Sequence, residues 1–341
     1  MLSFEELRSL WEPYDLPFPE ELTPLGKGHM CQSYRVWSGG NEYVLRVRPQ
    51  AFGPRELGAD HAFLAFLSHW NLAVPRVIQR GDGKSYGLAT WGQYYELHSY
   101  IPHDDVVGDG QFRRFTPLLA AFLGRFHEAS RSYSGSLDKP VYAGNIPIGF
   151  FAKYFDGPLR WGVRRYLKCA QGREGREGEE LFWRTRELAF TLVELREQMC
   201  QFYSTMERLV NHNDFCGQNL LRRGEDIVGL VDFDLASTGP CCVDLVELLH
   251  GSLVWDENHW DYWGLHPEGR VRVSQGVRDH ILYKEAGGLG SVNWPMIKIM
   301  LKAKLISLVF YPAYDVAASL EDRLEITYRL RRTLEEIDRL L

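Results

Sequence analysis

Apolar and polar residues alternate over much of the first hundred positions, a pattern that predicts short β-strands. The strand-like runs lie at residues 33–37, 42–47, 74–80, 85–91 and 94–101. The first two are joined by Ser38-Gly39-Gly40-Asn41, which is typical of a tight hairpin turn. After Pro54 the spacing becomes helical, with one face formed by Ala62, Phe63, Phe66, Leu67 and Trp70. This part of the chain is therefore predicted to contain a sheet and one helix.

Beyond residue 102 the apolar residues recur every three or four positions, which predicts a mostly helical region. The longest series runs from Leu188 to Leu209 and is predicted to form one long core helix. Residues 171–180 are rich in glycine and charge and are expected to form a surface loop, whereas residues 321–341 predict an amphipathic terminal helix. We therefore divide the chain into residues 1–100 and 101–341, which meet near residues 98–102.

The charge of the chain excludes some classes of function. The 341 residues include 39 Lys and Arg against 45 Asp and Glu, a formal net charge of −6. Such a chain lacks the basic surface that binding to nucleic acid requires, so no nucleic-acid partner is expected. The apolar stretch 299–311 is interrupted by Lys302 and Lys304, so no membrane span is expected.

Two further features favour a cytoplasmic location. The chain begins with acidic residues instead of the cationic segment of a signal peptide. The six cysteines show no zinc-binding spacing, and the adjacent Cys241 and Cys242 are expected to be buried thiols.

Oxygen-bearing side chains are concentrated between residues 211 and 234. Asp214 lies in a turn-forming stretch, and Asn219 follows it at the start of a predicted hairpin. The second strand of this hairpin ends at Asp232, so strand pairing would bring Asn219 and Asp232 close together. Carboxylate and amide oxygens suit Mg²⁺, which also takes phosphate oxygens. Asp214, on the loop ahead, would be available to accept a proton from a substrate hydroxyl.

These residues form part of a longer ordered pattern. Residues 212–219 read HNDFCGQN, residues 230–234 read LVDFD, and Asp244-Leu245 follows. The pattern resembles the aminoglycoside phosphotransferase and choline kinase superfamily, over nearly the whole chain. The resemblance implies an α+β, bilobal protein-kinase-like fold, with a small antiparallel-sheet N-lobe and a larger, mostly helical C-lobe. It also implies transfer of the γ-phosphoryl group of ATP, with Mg²⁺, to a hydroxyl of a small molecule; GTP as the donor stays open.

The resemblance assigns a role to each matching residue of the catalytic loop and its surroundings. Asp214 would orient and deprotonate the acceptor hydroxyl, and His212 would brace the loop. Asn219 and Asp232 would hold Mg²⁺ against the phosphates, and Asp244 would support the loop from the next helix.

In the N-terminal lobe the resemblance implies a phosphate-binding surface. Gly26 and Gly28 would let the backbone approach the phosphates. Arg46 would contact the phosphates from the strand where protein kinases have a lysine. Its ion-pair partner on the following helix would be Asp60, with Glu56 as the other candidate.

The acceptor is expected to carry an amine, as an aminoglycoside or an amino alcohol does. The acidic net charge and residues 255–263, which are dense in aromatic and acidic side chains, would suit a cationic group. The candidate acceptor-binding residues are Asp234, Asp256, Glu257 and Trp260. The same segment would equally suit an aromatic helix packed on its neighbours, and Asp234 could instead bind a second metal or end its strand in solvent.

Three alternatives stay open at the level of sequence. A homoserine-type kinase would need an arginine or a lysine near the acceptor pocket for the carboxylate, and Arg160, Arg164 or Arg270 could serve. The other two are a nucleotide-binding module without catalysis and a metal-dependent hydrolase that uses the same carboxylates. The expected partner is a small-molecule acceptor, and either a monomer or a homodimer fits.

Overall fold

A computed structural model gives the arrangement of the chain. It describes residues 2–25, 31–48, 53–108, 111–137, 142–143, 146–147, 155–171, 175–203, 206–254, 283–284, 287–288, 294–310 and 319–340. The predictions made for Gly26, Gly28, Asp256, Glu257, Trp260 and Arg270 lie outside these residues.

The first hundred residues are rich in strands, and the longer helices follow, with short strands among them. The strands are β1 (Glu21–Pro24), β2 (Gln32–Ser38), β3 (Asn41–Arg48), β4 (Val77–Ile78), β5 (Gly87–Leu88), β6 (Tyr94–Ser99), β7 (Asp105–Val106), β8 (Tyr142–Ala143), β9 (Ile146–Pro147), β10 (Arg208–Asn211), β11 (Leu220–Arg223), β12 (Asp226–Leu230) and β13 (Ser237–Pro240). The helices are α1 (Phe4–Trp11), α2 (Pro54–His69), α3 (Phe112–Ser132), α4 (Val163–Gln171), α5 (Arg176–Tyr203), α6 (Val243–Val254), α7 (Trp294–Phe310) and α8 (Leu320–Leu340). This mixed arrangement of a small antiparallel sheet and a larger helical part confirms the predicted fold class.

The N-terminal sheet is antiparallel, with the strand order β1-β2-β3-β6-β4 and with β5 paired to β6. The predicted hairpin is confirmed: Ser38 pairs with Asn41, and Gly39 and Gly40 take positive φ angles of 56° and 75°. Such φ angles are accessible to glycine without steric cost, which explains the Gly-Gly turn.

The expectation of a single helix in the first hundred residues is wrong, because α1 precedes the sheet. Ser3 and Glu6 form a capping box at its N-terminus. Leu7, Leu10 and Trp11 of α1 are buried in the same apolar core as the sheet.

Helix α2 is confirmed, although its buried face differs in part from the one predicted. Pro54 stands in its first turn, where its missing N–H costs nothing. Phe63, Leu64 and Leu67 pack into the large core of the C-terminal helices, and Trp70 ends the helix with 41% of its surface exposed. Helix α2 therefore links the sheet to the helical part of the protein.

The helical part has longer helices and less loop than the sequence pattern predicts. Helix α5 begins at Arg176, so the second half of the predicted loop at 171–180 is helical. It ends at Tyr203, before Met206 and Leu209, because the chain then enters β10. The apolar stretch that begins at residue 299 lies in α7, which is buried against α5 and α6, and none of the described helices is both long and apolar enough to cross a membrane.

The second predicted hairpin is also confirmed. Strands β11 and β12 are antiparallel, and Gly224 takes a φ of 57° in the turn between them. Leu220 pairs with Leu230, and the amide of Val231 donates to the carbonyl of Asn219 at 2.9 Å. This register brings Asn219, the residue just before β11, beside the residues that directly follow β12.

The buried His250 of α6 predicts a pH dependence of stability. Burial lowers its pKa to about 4, whereas a histidine in the unfolded chain titrates near pH ~6.5. Between these values the unfolded chain binds a proton that the folded chain does not. The free energy of unfolding should therefore fall by about 1–2 kcal/mol as the pH drops from ~6.5 to ~5.

Urea unfolding at several pH values measures this slope, and His250→Gln should lose most of it. His69→Gln is the matched control, because His69 is exposed on α2 and should keep the wild-type slope. A wild-type slope in His250→Gln would assign the titration to another group.

Candidate active site

The segment between β10 and β11 is held from one side by a buried histidine. His212 follows β10 directly, and its Nε2 lies 3.0 Å from the carbonyl oxygen of Val231, at the end of the neighbouring hairpin. Its ring packs edge-on against Phe233, with 4.8 Å between the ring centroids. His212 is thus placed as a brace between the two segments that carry Asp214 and Asp232.

A buried carboxylate holds the same segment from the other side. Asp244, in the first turn of α6, accepts hydrogen bonds from the backbone amides of His212 at 2.6 Å and Asn213 at 2.7 Å. Nε2 of His127 lies 3.4 Å from the same carboxylate, and Nδ1 of His127 lies 2.8 Å from the Tyr283 hydroxyl. Burial alone would raise the pKa of Asp244, but these hydrogen bonds and the two nearby histidines lower it. Asp244 therefore stays ionised as an acceptor for two backbone amides.

Asn213 shows why this segment needs a particular residue type. Its φ is 63°, in the left-handed region that asparagine tolerates better than most residues. Its Nδ2 donates to the Leu235 carbonyl and to the Ser237 hydroxyl, both at 2.8 Å. The backbone therefore turns sharply just before Asp214.

Asp214 and Asn219 lie in direct contact with one another. Nδ2 of Asn219 donates to the backbone carbonyl of Asp214 at 2.9 Å and to its carboxylate Oδ2 at 2.8 Å. Asp214 is half-buried, whereas Asn219 is buried. The asparagine amide thus fixes the orientation of the carboxylate and keeps its own Oδ1 as an acceptor.

Asp232 completes a set of oxygen donors beside this pair. It follows Val231, whose amide is bonded to Asn219, and it takes a φ of 65° at the start of a short 3-10 turn. Its side chain is 43% exposed. Burial and the nearby carboxylates of Asp234 and Asp214 raise the pKa of Asp232, whereas the positive charge of Arg46 lowers it.

This donor set fits a magnesium ion. Mg²⁺ is a hard cation that takes carboxylate, amide and phosphate oxygens and retains several waters. The carboxylates that crowd Asp232 are the kind of local negative charge that a divalent cation neutralises. The Oδ1 atom of Asn219 and the carboxylate of Asp232 would hold the magnesium ion.

The predicted partner of Arg46 is wrong. Arg46 contacts Glu96 of β6, Asp232 and Asp234, with N–O distances of 3.5, 3.1 and 2.9 Å respectively. Neither candidate on α2 takes this place. Glu56 caps the helix by accepting the Gly53 amide at 3.0 Å. Asp60 is buried near Tyr133, whose pKa is raised by its own burial and by the Asp60 charge. The reason lies in strand register, because Arg46 and Glu96 are directly opposite one another on β3 and β6.

The expectation that Asp234 ends its strand in solvent is wrong, and the contacts of its carboxylate are with cations of the sheet. Asp234 is buried, with Arg46 at 2.9 Å and Arg48 at 2.6 Å, and the Cys31 thiol donates to it at 3.0 Å. Burial would raise the pKa of Asp234, but the two guanidinium groups lower it. Its charge is therefore paired with two arginines of the sheet.

Sequence reasoning missed Arg48 and Glu96. Arg46 and Arg48 are two positions apart in the run YVLRVR, so a strand would place both on the same face. Two arginines on one face of a strand in the sheet are a signal for buried counter-ions, although the sequence does not say which acids provide them.

Within the described residues, one further group has metal-ligand side chains: His61, Glu96 and His98. His61 Nε2 lies 2.6 Å from Glu96 Oε2, a hydrogen-bond distance that requires a proton between the two atoms. Arg48 already neutralises Glu96. Glu96 is therefore already paired with His61 and Arg48, and His98 Nε2 lies 3.5 Å from the same carboxylate.

The structure gives no support to the arginines that were predicted to bind the carboxylate of an acceptor. Arg160 and Arg164 are exposed near the start of α4. The third, Arg270, is outside the described residues.

Comparisons with known proteins agree with this geometry. The model of the phosphotransferase enzyme family matches residues 21–275, which is more than half of the chain. No curated protein sequence matches the chain significantly.

Solved structures share the fold at low sequence identity. An amicoumacin kinase in complex with AMP-PNP and Ca²⁺ is 15% identical, with a TM-score of 0.68 over 99% of this chain and 94% of that chain. An aminoglycoside phosphotransferase from Alicyclobacillus acidocaldarius is 14% identical, with a TM-score of 0.66 over 97% and 95%. A microcompartment-associated aminopropanol kinase is 16% identical, with a TM-score of 0.63 over 97% and 95%. These similarities extend over nearly the whole of each chain.

Asp244→Ala should destabilise the protein, because it leaves two backbone amides without an acceptor. We expect the free energy of unfolding to fall by about 3 kcal/mol, since each unsatisfied buried donor costs roughly 1–3 kcal/mol. Chemical denaturation measures the change. Asp226→Ala, at an exposed position at the start of β12, is the control and should change stability by less than about 0.5 kcal/mol. Equal stability of the two variants would contradict the role of Asp244.

Proposed function

This chain belongs to the phosphotransferase enzyme family and is a small-molecule phosphotransferase, and on that premise we propose that it transfers the γ-phosphoryl group of ATP, with Mg²⁺, to a hydroxyl group of an amine-bearing small molecule. The observation that carries the proposal is the contact between Asn219 and Asp214. It holds a half-buried carboxylate beside a magnesium-type donor set, on a loop that is braced on two sides.

In the proposed reaction Asp214 orients the acceptor hydroxyl and accepts its proton. Its carboxylate is held by Asn219, so it does not have to be positioned when the substrate arrives. The site contains acids, an amide and a cation but needs no activated nucleophile, because phosphoryl transfer depends mainly on positioning and on charge stabilisation.

The donor end of the site uses Asn219, Asp232 and Arg46. Magnesium, when bound, neutralises charge on the β- and γ-phosphates. Arg46 supplies a guanidinium group suited to two phosphate oxygens, and it already lies against Asp232 at 3.1 Å. Arg46 and the magnesium ligands are therefore close enough to act on one triphosphate.

The amine of the acceptor is the finer part of the proposal. It is supported by the acidic net charge of −6 and by the acidic and aromatic residues at 255–263 of the sequence. Among the structures that share this fold, two are described as an aminoglycoside phosphotransferase and an aminopropanol kinase.

A coupled assay of ADP release tests the acceptor class. Aminoglycosides, amino alcohols, homoserine and neutral sugars are each offered with ATP, with and without Mg²⁺. We expect saturable, Mg²⁺-dependent ADP release with aminoglycosides or amino alcohols, because acidic and aromatic side chains favour a cation. Saturation by neutral sugars and by no amine would contradict the amine proposal. Nucleotide binding without any turnover would favour a module that has lost catalysis.

Changing Asp214 or Asp232 to alanine should impair different steps, turnover in the first case and nucleotide binding in the second. Asp214→Ala should lower kcat by about 10³-fold, the range for loss of a general base, while the Kd for Mg·ATP changes by less than about threefold. Asp232→Ala should raise that Kd by about tenfold or more, because a ligand of the metal is lost.

Steady-state kinetics and calorimetry separate these two effects. Asp226→Ala again serves as the control, since Asp226 is an exposed acid of the same hairpin. An Asp214→Ala enzyme with half the wild-type kcat would contradict the base assignment. Unchanged nucleotide affinity of Asp232→Ala at low Mg²⁺ would contradict its role in metal binding.

A further inference from the structure

Two arginines and two acids form a buried cluster at the base of the candidate nucleotide site. Arg46 and Arg48 project from one face of β3, and Glu96 of β6 and Asp234 lie on either side of them. Glu96 Oε1 is 3.5 Å from Arg46 Nη1 and 2.7 Å from Arg48 Nη2. Asp234 is 2.9 Å from Arg46 Nη2 and 2.6 Å from Arg48 Nη1. We call Arg46, Arg48, Glu96 and Asp234 the arginine cluster.

The two arginines differ in how far their side chains are exposed. The Arg46 side chain is 11% exposed, and its Nη2 also reaches Asp232, the proposed magnesium ligand. The Arg48 side chain is 2% exposed, and both its Nε and Nη2 lie within 2.8 Å of Glu96. Arg46 is therefore the cation placed to meet a nucleotide, and Arg48 is the cation embedded beneath it.

Charge balance decides what Arg46 can do. A buried acid that loses its counter-ion costs several kcal/mol, far more than the loss of an exposed pair. When Arg46 turns toward phosphate oxygens, its contacts with Asp234 and Glu96 weaken. Arg48 contacts both acids, so one positive charge still stands between their two negative charges while Arg46 is engaged elsewhere.

We propose that Arg48 is a positioning residue for nucleotide binding: its positive charge offsets part of the charge of Glu96 and Asp234, which weakens their attraction for Arg46 and leaves Arg46 available for the phosphates. The inference rests on the proposed function, since it takes Arg46 as the phosphate-binding cation. Without Arg48, Arg46 would be the remaining arginine between the two acids of the cluster and would bind phosphate less readily.

Calorimetry with Mg·AMP-PNP, a non-hydrolysable ATP analogue, tests the inference. Arg48→Met keeps an unbranched aliphatic stem without the charge, and it should raise the Kd by about tenfold or more. Adenosine has no phosphates, so its Kd should stay within about twofold of wild type in the same variant.

A second substitution should rescue the first. In Arg48→Met/Asp234→Asn one acid of the cluster is neutral, so Arg46 is released and the Kd for Mg·AMP-PNP should return to within about threefold of the Asp234→Asn single variant. This comparison also serves if Arg48→Met alone does not fold. A double variant that binds about tenfold more weakly than Asp234→Asn would overturn the inference.

Two other results would count against Arg48 as a positioning residue. Wild-type affinity of Arg48→Met for Mg·AMP-PNP would overturn the inference, and so would an equal loss of adenosine and AMP-PNP binding, which marks a general structural defect. Either result leaves the proposed function intact as long as the wild-type protein binds Mg·AMP-PNP. Failure of the wild type to bind it at all would overturn both.

Discussion

Ion pairs between β3 and the turn after β12 join the sheet to the segment that carries the candidate magnesium ligand. Arg46 and Arg48 come from the sheet, and Asp234 comes from the turn that also holds Asp232. Because these charges are buried, separating them exposes uncompensated charge at low dielectric, a cost of several kcal/mol for each ion. The distance between β3 and the turn that carries Asp232 is therefore set by the pairing of charges.

The segment that carries Asp214 is held in a different way, by neutral backbone groups that meet one carboxylate. Asp244 accepts two amides, and His212 reaches the carbonyl of Val231 across to the neighbouring hairpin. These contacts satisfy polar groups inside the protein, so none of them is available to a substrate. Asp214 and Asp232 are more exposed than their supports. The site thus consists of a few accessible oxygens on a framework whose polar groups are already paired.

The parts of this arrangement that the sequence predicts are the local ones. Gly39-Gly40 and Gly224 identify two hairpin turns, and the second hairpin fixes the neighbouring positions of Asn219 and Asp232. The partner of Arg46 was not predictable in this way. It depends on the register between β3 and β6, which places Glu96 opposite, and on the rotation of α2, which directs Asp60 away. Both are set by tertiary packing, and a single sequence does not encode them as a local pattern. Asp234 was misread for the same reason, since its partners are about 190 residues earlier in the chain.

The alternation of a strand explains how a second cation could be added without a change of fold. Positions two apart on β3 share a face, so Arg48 lies beside Arg46 and meets the same two acids. A lone arginine between Glu96 and Asp234 would face two negative charges, and it would bind them more tightly than a cation that must also bind phosphate. With two arginines the charges of the four groups balance, and Arg46 faces less net attraction from the acids around it. In physical terms, Arg48 and the two acids present one net negative charge to Arg46 instead of two, so under the proposed function less attraction holds Arg46 away from phosphate.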